Sequence, residues 1–205
     1  MKQTIKIYKM PISEHFPKTH SRAGEKTEFV EKIKMALDLS PRWDKSNVRA
    51  EYEVPKLHTI RQNLALWQKR INEVIAGDAI LILYSWSGKP YRSAQKDNFI
   101  FGKETPEIRQ LLKERFYPNF MPNLEIILKD EVEIGVQEVT FGETYHKFDK
   151  SDLNKAGSFC AGHTYAKSNK LAVNDGLSFE DFCEWFKNAD LTKPLAIIHF
   201  TKFRY

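Results

Sequence analysis

The chain has 205 residues, of which 41% are hydrophobic and 13% aromatic: enough apolar material for one sizeable core, and too much for a disordered or coiled-coil protein. Lysine and arginine total 32 against 27 acidic residues, a formal charge of +5, so an anionic partner is favoured only mildly and charge placement must decide. No stretch approaches the roughly 18 apolar residues that span a bilayer, and two cysteines, Cys160 and Cys183, make no disulfide framework, so a cytoplasmic protein with no membrane partner is expected.

Residues 3–9 alternate, with Ile5 and Ile7 on one face, and predict a first strand rather than a signal peptide. Residues 11–26 show no apolar periodicity. They read as a basic loop holding Lys18 and Arg22, with His15 and His20 in solvent. Thr27 can cap a helix whose apolar face is Phe29, Ile33, Ala36 and Leu37, and Ser40-Pro41 ends it. The clearest helix covers 62–76, where Leu64, Trp67, Ile71 and Val74 recur at helical spacing and Gly77 closes the run. Residues 79–84 are continuously apolar and predict a strand buried on both faces. Ser87-Gly88-Lys89-Pro90 is a turn, with a strand returning near 98–101.

Thr105-Pro106-Glu107 starts a helix with Ile108, Leu111, Leu112 and Phe116 inside, and Pro118 and Pro122 stop it. Strands are expected at 124–128 and 132–139, and a long polar loop at 147–170. Ser178, with Asp181 three residues on, opens a last helix whose inner face is Phe179, Phe182, Cys183 and Phe186; a strand over 195–205 follows. About six short strands and four helices in mixed order lack the alternation of a doubly wound sheet. They predict an α+β protein with a small curled sheet closed into a barrel and helices packed outside.

Three segments carry candidate chemistry. In Lys56-Leu57-His58-Thr59-Ile60-Arg61, just after Pro55, a lysine, a hydroxyl and a guanidinium cluster ahead of a helix N-terminus. Such a group can hold a phosphate or polarise a carbonyl, and reads equally as a solvated turn with surface cations. In Trp86-Ser87-Gly88-Lys89-Pro90-Tyr91-Arg92-Ser93, two aromatics and two cations surround a tight turn. Aromatic faces stack bases and cations track phosphates, whereas the alternative is a hairpin whose aromatics pack inward. Asp175-Gly176 is a turn ahead of the Ser178 cap. Cys160-Ala161-Gly162-His163 has metal-like spacing but no second matching pair, and His199 falls in a strand pattern, so no metal site and no cofactor are expected. No Gly-rich phosphate loop or Gly-x-Ser-x-Gly elbow occurs.

The order Lys56-x-x-Thr59-x-Arg61, a helix, then Gly77-Asp78 opening an apolar strand, resembles the signature of ASCH domains in the PUA-like superfamily. The run Asn174-Asp175-Gly176-Leu177-Ser178, followed by an amphipathic helix and an apolar strand, is similar too. The likeness covers most of 50–101 and 132–205. It implies one domain over 1–205 with a PUA-like curled β-barrel of about five to seven strands, an N-terminal extension at about 10–50 and an insertion at about 103–130. Small bacterial members hydrolyse N4-acetylcytidine with a Lys, a Thr and a Glu. By motif position these fall on Lys56, Thr59 and Asp175, the last one methylene shorter than Glu. Two functions follow from this. One is a non-catalytic module binding RNA or a modified nucleobase through Lys56, Arg61, Trp86, Lys89, Tyr91 and Arg92. The other is a hydrolase of a carbon–nitrogen amide bond in an acylated nucleoside, worked by Thr59, Lys56 and Asp175.

Overall fold

The computed structural model describes residues 4–38, 54–116, 123–141, 158–161 and 164–205. In chain order the first elements are β1 (Lys6–Pro11), α1 (Phe29–Ala36), β2 (His58–Arg61), α2 (Leu64–Ala76) and β3 (Ala79–Trp86). Next come β4 (Gln95–Lys103), α3 (Pro106–Arg115), β5 (Glu125–Lys129) and β6 (Gly135–Phe141). The last are β7 (Ser158–Ala161), β8 (Thr164–Lys167), α4 (Ser168–Asn174), α5 (Phe179–Phe186) and β9 (Leu195–His199). They form two compact units, residues 1–14 with 68–134, and residues 15–67 with 135–205.

The first unit is built on a four-stranded sheet in the order β1-β3-β4-β5. β3 is its centre, buried from Ala79 to Ser85, as the unbroken apolar run requires of a strand covered on both faces. Ile80, Ile82 and Ile100 pack with Ile108, Leu112 and Phe116, so the apolar stripe of α3 lies on the sheet. Thr105 caps α3, its Oγ1 accepting from the Ile108 N–H at 3.2 Å, with Pro106 at the first helical position.

The second unit holds a five-stranded sheet in the order β2-β9-β6-β7-β8, with every ladder antiparallel. β9 lies between β2 and β6 and is buried throughout. α4 ends in a Schellman motif: Leu177 N–H bonds to Ala172 C=O at 3.1 Å and Gly176 N–H to Val173 C=O at 2.9 Å. Two residues on, Ser178 caps α5, its Oγ accepting from Asp181 N–H at 3.0 Å.

These sheets correct the expected architecture. The class is α+β, but the strands make two open sheets and no closed PUA-like curled barrel, and among the described residues there are nine of them. Hydrophobic pattern identifies a strand without identifying its neighbour. Two of the three ladders in the first sheet are parallel, and parallel partners need a crossover, so β4-α3-β5 extends an edge instead of returning to close a ring. The stretch read as a loop over 147–170 contains β7, β8 and the start of α4, whose polar sequence carries no periodic stripe. His20, expected in solvent, is buried at 4% exposure, while His15 is exposed. Its Nε2 lies 3.2 Å from Asp181 C=O, and its Nδ1 accepts the Arg22 N–H. No described helix is long and apolar enough to cross a membrane.

Ile82, 1% exposed inside the apolar cluster, and Ile126, 37% exposed at the sheet edge, give a direct contrast. Ile82→Ala should lose about 2–5 kcal/mol of stability through the cavity it opens, and Ile126→Ala less than about 1 kcal/mol. Urea unfolding midpoints of the two variants measure the difference.

Candidate functional site

The segment leading into β2 is fixed by backbone bonds on several sides. Lys56 N–H donates to Lys32 C=O at 3.0 Å, Leu57 N–H to Asn174 C=O at 2.8 Å, and Phe200 N–H to Leu57 C=O at 2.9 Å. Helix α1, the end of α4 and the residue after β9 thus hold one short stretch, and the Lys56 side chain is directed inward. Its exposure is 2%.

Lys56 Nζ donates to Asp175 Oδ1 at 2.5 Å and to Asp175 C=O at 2.6 Å, and stands 4.1 Å from the Phe29 ring centroid. Asp175 is 3% exposed and is the C-cap of α4, so the helix end aims both its carboxylate and its carbonyl at the lysine. Gly176, at φ +76°, makes this approach feasible. A Cβ there would lie 3.1 Å from Lys56 Cβ, in a backbone conformation that side chains resist.

Burial pulls the Lys56 ammonium down to about 8, with the attraction of Asp175 opposing and the charges of Arg61 and Lys32 adding to the fall. Burial also pushes the Asp175 carboxyl up, against the pull of Lys56 and Arg61. Both shifts favour the uncharged pair, as expected when two ions are taken out of water. A lysine in this state exchanges a proton near neutral pH, which a solvated one does not.

Thr59 is 5% exposed, and its Oγ1 accepts from Arg61 Nη1 at 2.9 Å. The same nitrogen donates to Ile60 C=O at 2.9 Å. Alternation along β2 sends Thr59 and Arg61 to one face and His58 to the other. Lys56 and Asp175 are in direct contact, and Thr59 is bonded to Arg61, whose charge acts on both. Trp86, Lys89, Tyr91 and Arg92 lie in the other unit, at the β3–β4 turn. Tyr91 is 87% exposed with φ +61°, and its ring centroid is 5.3 Å from that of Trp86.

His58 has its own sequence signal, a polar residue inside the motif on the strand face opposite Thr59. It is fully buried, with Nδ1 3.7 Å from Asp175 Oδ1. The apolar stripe of α1 marks Phe29 as core, and its role as a cover for Lys56 has no sequence signal. Gly162 and His163 lie outside the described residues. Among those described, no group of three or more His, Cys, Asp or Glu is placed to hold a metal. A cleft of about 560 Å³ in the first unit, lined by Glu104, Arg109, Leu112, Lys113, Ile126 and Leu128, includes none of the candidate residues. Comparison with protein-family models, with curated proteins and with solved structures gives no match.

Removing one partner of a buried ion pair strands the other. Lys56→Met should cost about 3–5 kcal/mol, and adding Asp175→Leu should restore much of it; a double-mutant cycle by urea unfolding checks both. The pH dependence has a definite sign. Lysine in the unfolded chain titrates near 10.5, so between about 8 and 10.5 the unfolded chain holds a proton that the folded one has lost. Lys56 therefore makes stability rise with pH across that window, and the rise should be missing from the double variant.

Proposed function

We propose that this chain hydrolyses an amide bond in an acylated nucleobase or nucleoside, with N4-acetylcytidine as the substrate that tests it. The observation that carries the reading is Lys56, a lysine 2% exposed and drawn down to about 8, in contact with a carboxylate 119 residues away in sequence. The ordered likeness of Lys56-x-x-Thr59-x-Arg61 and Asp175 to the ASCH signature supports it as well.

The chemistry follows from the groups. Because Arg61 donates to Thr59 Oγ1, the hydroxyl proton is left to be given away, and the guanidinium charge favours the developing alkoxide. Neutral Lys56 accepts that proton. Oγ1 bonds to the acyl carbon, the carbon–nitrogen bond breaks, and the proton passes to the departing amine, with Asp175 holding the ammonium meanwhile. Water then cleaves the acyl ester by the reverse proton transfers, so amide and water become acid and amine.

A second reading has its own observation. Tyr91 holds a costly left-handed backbone conformation, yet its ring is in solvent beside Trp86, and Lys89 and Arg92 flank it. That suits stacking of an unpaired RNA base with cations on the phosphates.

On N4-acetylcytidine, kcat/KM should rise about tenfold per pH unit up to about 8 and level off above it, as neutral Lys56 accumulates. Thr59→Ala and Lys56→Arg should be inactive, because one lacks the nucleophile and the other carries a group that keeps its proton. Thr59→Ser should retain measurable turnover. Asp175→Glu should lower it, since the carboxylate already touches Lys56. Wild-type turnover matched by Thr59→Ala, or a flat pH profile, refutes the mechanism. For the second reading, Tyr91→Ala should weaken single-stranded RNA binding by about 1–3 kcal/mol. Arg92→Ala should reduce its salt slope by about one.

A further inference from the structure

Two buried histidines face each other across the β2–β9 ladder. His58 is opposite His199 in register, the ring centroids are 5.6 Å apart, and both residues are fully buried. Burial, with His199 and Lys56 nearby, holds His58 far below the ordinary histidine range, so its ring is neutral and carries one proton.

The surrounding bonds say which nitrogen carries it. Asn174 Nδ2 donates to Tyr205 Oη at 3.0 Å, and an amide nitrogen can only donate. His58 Nε2 and Tyr205 Oη are 2.7 Å apart, a pair in which either can donate. A bare Nδ1 would set its lone pair against the Asp175 carboxylate oxygen 3.7 Å away, so the proton is assigned to Nδ1, and Nε2 then accepts from the phenol. That N–H has no hydrogen-bond partner, although it is enclosed. It faces Asp175 Oδ1 at 3.7 Å, the oxygen that takes Lys56 Nζ at 2.5 Å. One oxygen thus has two candidate donors, and only the ammonium is within bonding range.

We propose that His58 is the positioning residue of this site: its Nδ1–H, oriented by the Asn174–Tyr205–His58 chain, closes onto Asp175 Oδ1 when Lys56 gives up its hold on that oxygen. The carboxylate then keeps a donor and a fixed position while the lysine side chain handles the substrate proton. The effect on turnover rests on the hydrolase reading. The tautomer and the closing hydrogen bond do not.

The test uses the full chain with 15N-labelled histidine. Two-bond 15N–1H correlation spectra at neutral pH should show His58 protonated at Nδ1 and bare at Nε2. Tyr205→Phe, which removes the directing hydroxyl, should shift that balance toward Nε2–H. In Lys56→Met the Nδ1 proton should move downfield and exchange with water more slowly. Should that variant not fold, wild type taken from pH 7 to above about 8 makes the same change by emptying the Lys56 proton. An Nε2–H tautomer in wild type, or an Nδ1 proton indifferent to the state of Lys56, overturns the proposal.

Activity supplies the second arm. His58→Asn puts an amide near the place of Nδ1 and should keep most of kcat on N4-acetylcytidine. His58→Gln puts it near Nε2 and should lose about 100-fold in kcat with KM little changed, the scale of a displaced catalytic group. Equal losses in both variants would mean a merely structural histidine and overturn the role. Wild type that does not turn over N4-acetylcytidine sinks the hydrolase reading, and the spectra still decide His58.

Discussion

The second unit is organised around a charge that water cannot reach. An ammonium buried with a carboxylate loses hydration that their mutual attraction only partly returns, so the protein must supply the rest in fixed contacts. It does so with the Asp175 carboxylate and carbonyl at the end of α4 and with the Phe29 ring on α1. The termination of α4, the path of residues 56–57 and the seating of α1 all serve to bring these groups to one nitrogen. A surface lysine would need none of this. That the chain accommodates so demanding an arrangement is the physical reason to read it as working rather than decorative.

A good part of this was legible in the sequence, and the physical cause is the same wherever it succeeded. Residues 62–76, the buried run at 79–84 and the capped starts at Thr105 and Ser178 are local signals, set by side-chain periodicity and by single hydrogen bonds within a few residues. The meeting of Lys56 with Asp175 became legible only through the order of the motifs, since spacing alone carries no information about contact across 119 residues. What sequence could not supply was partnership between strands. Ladder choice depends on crossovers and edges, so even the six strands legible in the sequence pointed to a barrel that the two open sheets do not form. His20 illustrates the same limit for a side chain. It stands in a polar stretch, but Asp181, Glu184 and the Trp185 ring gather around it from elsewhere in the chain, with Phe16 closing in from its own loop.

The exposed turn of the first unit obeys a different economy. Tyr91 is 87% exposed, and its backbone conformation is unfavourable for a residue of its size. Lys56 is demanding because it is enclosed, whereas Tyr91 is demanding because it is presented. Each unit thus places a residue against its intrinsic preference, beside a polar, proton-exchanging cluster in one and beside a second aromatic face and flanking cations in the other.

Gly176 ties two distant positions into one heritable unit. Its missing side chain leaves the volume that the stem of Lys56 occupies, and its backbone twist ends α4 at the point that presents Asp175. A lineage that placed any larger residue at 176 would have to shorten or redirect the side chain at 56, whereas one that gave up the lysine would lift only the crowding, because the backbone twist keeps its own demand for glycine. Across related chains a larger residue at 176 is therefore expected only beside a changed residue at 56, a one-way dependence set by shared space rather than by shared chemistry.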